Sequence, residues 1–130
     1  MQPRICTVKH NPPESYGDCI RACIATMIDR DDVPHVFDGR PPENAWAALR
    51  AYLKSIKLTL FVTDILEPFE YMAINNPDIP YMLLCQSGGV NHAIVCRGGE
   101  VVHNPAWYKQ AVSGPHSQGF YIVGIIGVDS

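Results

Sequence analysis

The sequence predicts an α+β fold in which N-terminal helices pack on an antiparallel β-sheet. Three observations lead there. Two helical stripes of apolar residues fill the first half of the chain. Short strand-like runs fill most of the second half. The runs are continuously apolar, and hairpin-sized links join several of them, which favours antiparallel pairing under a helical cover.

The first segment, "NPPESYGD" (11–18), is a loop, with two prolines followed by a Ser/Gly/Asp cluster. A helix follows from about Cys19 to Arg30. Ile20, Cys23, Ile24, Met27 and Ile28 recur at i, i+3, i+4, i+7 and i+8, which makes one buried stripe. Asp18 is expected to be its N-cap, because a carboxylate there can accept from the orphan N–H groups of the first turn. "DRDDVPHVFDGRPPEN" is polar and turn-rich. A second helix is expected from about Glu43 to Ile56, with Trp46, Leu49, Leu53 and Ile56 on one face. Strands are expected at 58–63, 81–86, 92–97, 100–103 and 120–128. One short helix and a turn lie between the first two strands.

The length of 130 residues suits one domain spanning 1–130 and allows a real core. Apolar residues make up 47% and charged residues 18%, an ordinary globular balance. The net charge of −3 lacks the basic excess of a nucleic-acid or anionic-membrane surface, so neither partner is expected. No run approaches the ~20 apolar residues of a membrane span. The opening residues lack the apolar core of a secretory signal. The five cysteines form an odd set with no CxxC pair, which points to reduced thiols in the cytoplasm.

Cys19 stands where the loop becomes a helix. A cysteine in the first turn feels the positive end of the helix dipole and the unpaired N–H groups, and both favour the nucleophilic thiolate. By itself the position also suits a small buried residue. A second feature adds weight. "NHAIVCRGGEVVHNP" reads as a hairpin turning at Arg97–Gly98–Gly99. A three-residue loop sets His92 opposite Asn104, Ala93 opposite His103 and Val95 opposite Val101. Asn104 can then orient the His92 ring toward Cys19, which completes a nucleophile, base and orienter. A two-residue Gly98–Gly99 loop shifts the register and sends Asn104 to the other face. The sequence permits either.

"YGDCIRACIATMI" followed by "NHAIV" and "GGEVVHNP" resembles the papain-like cysteine peptidase superfamily. The chain is most similar to the compact bacteriocin-leader-peptidase branch. It also resembles small phage and bacterial proteins in which a G-[ND]-C-x-x-A-C-x-A-[ST] helix precedes V-P-H, as "DDVPHV" follows here. The resemblance runs in order through most of the chain. It implies Cys19 as nucleophile at the start of the central helix, His92 as base and Asn104 as orienter. It implies no cofactor and no metal, a protein or peptide substrate, and a cytoplasmic setting, the host's if the chain is phage-encoded. It leaves the oligomeric state open. Two departures stand out. The branch more often has Asp-Pro where this chain has Asn104–Pro105, although papain-like enzymes also use Asn. The superfamily glutamine that supplies an oxyanion donor is replaced by Pro13, which has no N–H to give. His10 or Asn11 is the candidate replacement, beside the Cys19 backbone N–H.

Other candidates are weaker. A Cys19/Cys23/His92/His103 zinc site is disfavoured, because i,i+4 cysteines are not a usual structural-zinc spacing. Cys23, Cys85, Cys96 and Trp46 read as core. His35 and His103 read as structural, and His116 as a loop residue. Trp107 and Tyr108, after the "HNP" turn, either line a substrate groove or simply pack. The leading functional expectation is a thiol hydrolase that cleaves an amide, a peptidase or isopeptidase acting through a thioester. Acyl transfer of the transglutaminase type uses the same groups. A papain-like binding protein that has lost its chemistry is the alternative from another class. Peptidoglycan cleavage is disfavoured: no export signal, wall-binding module or basic excess is seen.

Overall fold

The computed structural model describes residues 1–7, 18–37, 42–87, 90–105, 112–115 and 119–127. Three helices and six strands occur among them: α1 (Cys19–Ile28), α2 (Pro42–Ser55), β1 (Leu58–Asp64), α3 (Pro68–Asn75), β2 (Pro80–Ser87), β3 (Val90–Arg97), β4 (Glu100–His103), β5 (Val112–Pro115) and β6 (Tyr121–Gly127). The α+β class is as expected. One antiparallel sheet runs β1-β6-β2-β3-β4, and β5 pairs with the far end of β2.

Both faces of the sheet are covered, which explains why its strands read as unbroken apolar runs. Met82, Leu84, Ala93, Val95 and Val123 point into a cluster with Cys23 and Ile24 of α1 and Leu49 and Leu53 of α2. Their alternating neighbours Tyr81, Leu83, Cys85, Ile94, Cys96 and Ile122 form a second cluster with Met72 of α3. The period-2 alternation of a strand thus feeds two cores at once. The β2·β3, β1·β6 and β2·β6 ladders bind the sheet, α1 lies mainly against β3, and α2 lies against β1.

Local chemistry sets the helix ends. α1 stops two residues before the expected Arg30. Asp29 turns left-handed at φ 55°, and its N–H returns to the Ala25 carbonyl. Lys57 takes φ 63° two residues after the end of α2, and β1 begins at the next residue. α3 begins at Pro68, where a missing N–H costs nothing. β5 was not expected. Its "VSGP" sequence has neither alternation nor β-branched enrichment, and it is a strand because it pairs with β2.

The β3–β4 hairpin departs from the expected three-residue turn. Arg97 pairs with Glu100 and Cys96 with Val101, so the loop is Gly98–Gly99. Gly98 sits at φ 57°, the first central position that a type II′ turn reserves for glycine. The register then shifts, because Val95 pairs with His103 and not with Val102. Val102 is the extra residue of a β-bulge. One further step in the shifted register sets Asn104 beside Ile94, diagonal to His92. The bulge therefore undoes the face change that a two-residue loop alone would impose. No described helix is long and apolar enough to cross a membrane.

Candidate active site

Cys19 is the first residue of α1. Asp18 precedes it and is buried, but its carboxylate makes no capping bond to the helix, contrary to the sequence expectation. It accepts from the Thr7 N–H at 2.9 Å, the Thr7 hydroxyl at 2.9 Å and Arg21 Nε at 2.7 Å. A buried carboxylate takes the strongest donors within reach, and here they are a guanidinium and a neighbouring segment. The Asp18 carbonyl still accepts from the Ala22 N–H at 2.9 Å, which begins the helical ladder.

The N-terminal residues form a strap across the start of α1. Arg21 Nη2 donates to the Ile5 carbonyl at 3.1 Å. The Cys6 N–H donates to the Pro105 carbonyl at 2.8 Å. His103 Nε2 donates to the Arg4 carbonyl, so His103 has the structural role expected of it. The Arg4 N–H donates to Thr26 Oγ1 at 2.9 Å, on the buried side of α1. These bonds tie α1 to the end of β4, where Asn104 leaves the strand.

His92 lies in β3, with its Nε2 2.8 Å from Asn104 Oδ1. With the amide oxygen facing the ring, Nε2 is the donor in this contact. The expected His92–Asn104 contact therefore exists, although its backbone route is the bulge. The backbone N–H groups of Ala93, Ile20 and Cys19 itself face the Cys19 sulfur and favour its thiolate. The Ala93 N–H places the thiol against the residue that follows His92. Burial nevertheless dominates and pushes the thiol up to about 11, while the three N–H donors pull the other way. Desolvation thus opposes the thiolate that the helix start favours.

Cys19 and His92 open into one cavity of about 610 Å³. Its apolar wall consists of Ile20, Phe37, Trp46, Val62, Leu84 and Tyr121. Arg50 and Asn91 are its other polar residues. Trp46 was expected in the core. It is half-buried, and its ring meets the Phe37 ring edge-on at 5.1 Å and 83°. Arg50 Nη1 donates to the Leu60 carbonyl at 3.0 Å. The sequence reading missed Phe37, Arg50, Val62 and Tyr121 as site residues. The one legible signal was an arginine four residues after Trp46, on the otherwise apolar face of α2.

Cys23, Cys85 and Cys96 are fully buried, as expected for core thiols, and Cys6 is buried as well. Burial raises all four above the ordinary thiol value. Cys23 sits in the core and His103 turns to Arg4, so neither joins Cys19 and His92 at the cavity. His10, Asn11, Trp107, Tyr108 and His116 lie outside the described residues. Comparison with protein-family models, with curated proteins and with solved structures found no match to this chain.

Proposed function

We propose that the protein is a thiol hydrolase of papain-like type that cleaves an amide bond with Cys19 as nucleophile, His92 as base and Asn104 as orienter. One observation carries the reading. A helix-start cysteine and a histidine held by an asparagine oxygen at 2.8 Å line the same cavity. In the reaction, His92 Nδ1 takes the thiol proton as Cys19 Sγ attacks the carbonyl carbon. The Cys19 N–H at the start of α1 donates to the developing oxyanion, with His10 or Asn11 as the sequence candidate for a second donor. His92 then protonates the leaving amine as the C–N bond breaks. Water activated by the same imidazole resolves the thioester. Asn104 keeps the ring in the tautomer that leaves Nδ1 basic.

A thiol raised to about 11 is almost wholly protonated at neutral pH, so its reactivity depends on the base. The test is brief iodoacetamide labelling of the folded protein at pH 7, mapped by mass spectrometry. Cys19 should react at least ~10-fold faster than the four buried thiols. His92→Ala should slow it by ~10²–10⁴, the usual worth of a positioned general base. Equal labelling of all five cysteines, or no effect of His92→Ala, would remove the enzyme reading.

A further inference from the structure

We infer that the Cys19 cavity is built for a terminal aromatic amino-acid residue bearing a free carboxylate, so that the protein releases that residue from the end of an acyl or peptidyl chain. The inference rests on the thiol-hydrolase reading and adds the substrate class. Three features converge on it. The cavity, at about 610 Å³, is large enough for one bulky side chain and its backbone, and apolar side chains dominate its wall. Trp46 and Phe37, already edge to face, offer ring surfaces for a further aromatic group. Arg50 is the only lining residue with a permanent charge among the described residues.

Arg50 sets the polarity of the ligand. One of its N–H groups is fixed on the Leu60 carbonyl, and no carboxylate pairs with it among the described residues. A guanidinium anchored at one nitrogen presents its remaining donors as a planar fork, which matches a carboxylate. A cationic group would meet like charge at Arg50 and no carboxylate among the described lining residues. Trp46 and Arg50 are four residues apart on α2, about 6 Å along the helix axis. The few single bonds between the ring and the carboxylate of one amino acid can bridge that span. With the ring on Trp46 and the carboxylate on Arg50, the amide nitrogen of the same residue is the group left to face Cys19 and His92. The bond attacked is then the amide on that nitrogen. Cys19 Sγ bonds to the acyl carbon, the C–N bond breaks, and the amine leaves with the proton held by His92. Water then frees the acyl group as a carboxylic acid.

The test separates the pocket from the chemistry. Binding of N-acetyl-glycyl-phenylalanine to Cys19→Ala protein is measured by calorimetry, beside its C-terminal carboxamide and N-acetyl-glycyl-alanine. The free acid should bind at least ~10-fold tighter than either analogue. Arg50→Gln should erase the preference for the acid over the carboxamide and keep the preference for phenylalanine over alanine. Val62→Trp, at a position 39% exposed on the cavity wall, should block the phenylalanyl ligand by filling its space. Equal binding of acid and carboxamide, an unchanged acid preference in Arg50→Gln, or no binding of the acid would overturn the inference. Release of phenylalanine by the wild-type protein is then followed by mass spectrometry and is expected. Selective binding without release would overturn the hydrolase reading and leave the assignment of the pocket standing.

Discussion

Alkaline pH should unfold this protein through its buried thiols. Cys6, Cys23, Cys85 and Cys96 are buried, and burial is the first cause of a raised pKa in each. Cys6, Cys85 and Cys96 are pushed up to about 12, and Cys23 well above the ordinary 9.0. Below pH 9 the folded and unfolded chains both keep these protons, and the stability is fully present. Above pH 9 the unfolded chain sheds them and the folded chain does not. Stability is therefore lost steadily as pH rises toward the folded values. At one unit above its unfolded pKa each thiol costs a little over ~1 kcal/mol, so the four together cost on the order of 5 kcal/mol at pH 10. A typical domain has only about 5–15 kcal/mol in total. Thermal melts in reductant should show Tm falling by roughly 15 °C between pH 8 and pH 10, given a few degrees per kcal/mol at this size. The decisive protein is Cys85→Ala/Cys96→Ala. Two of the five raised thiols are then gone, so its slope with pH should be smaller than that of the parent by up to about two fifths. A flat Tm up to pH 10, or an unchanged slope in the double variant, would refute the reasoning.

Three further outcomes are expected. Asn104→Ala should slow alkylation of Cys19 less than His92→Ala does, because it removes the ring's orientation and leaves the base in place; a larger effect of Asn104→Ala would break the assigned roles. Asp18→Ala should cost about 3 kcal/mol in urea unfolding, because it strands Arg21 and the Thr7 N–H at the start of α1; a loss below ~1 kcal/mol would show that the strap contributes little. Gly98→Ala should cost roughly 1–3 kcal/mol, since its φ is 57° and an added Cβ would lie 2.7 Å from the Pro77 carbonyl oxygen; Gly127→Ala, with nothing within 4 Å, should be near neutral by the same measurement.

The sequence alone determined the features that depend on neighbours a few residues apart. The stripe of Cys23 and Ile24 in α1 and of Leu49 and Leu53 in α2 was readable because helical period and burial coincide there. The strands β2, β3 and β6 were readable because two covered faces demand unbroken apolar runs. Cys19 was readable as a helix start from the loop before it, and His92 and Asn104 stood out as a polar pair flanking one hairpin. Tertiary structure decided what depends on long-range partners. Asp18 left the helix N–H groups because Thr7 and Arg21 compete for it, and Thr7 is eleven residues away. The turn took two residues, and Val102 restored the shared side, because pairing energy along β3 and β4 selects the register and single-residue parity is invisible in "CRGGEVVHN". β5 exists only as a partner of β2. The cavity draws Phe37, Trp46, Val62 and Tyr121 from separate segments, and no local pattern records that they meet. The Cys19 thiol rose because burial there outweighs its three N–H donors. Burial is a property of the assembled fold, so the first turn of a helix could not announce it.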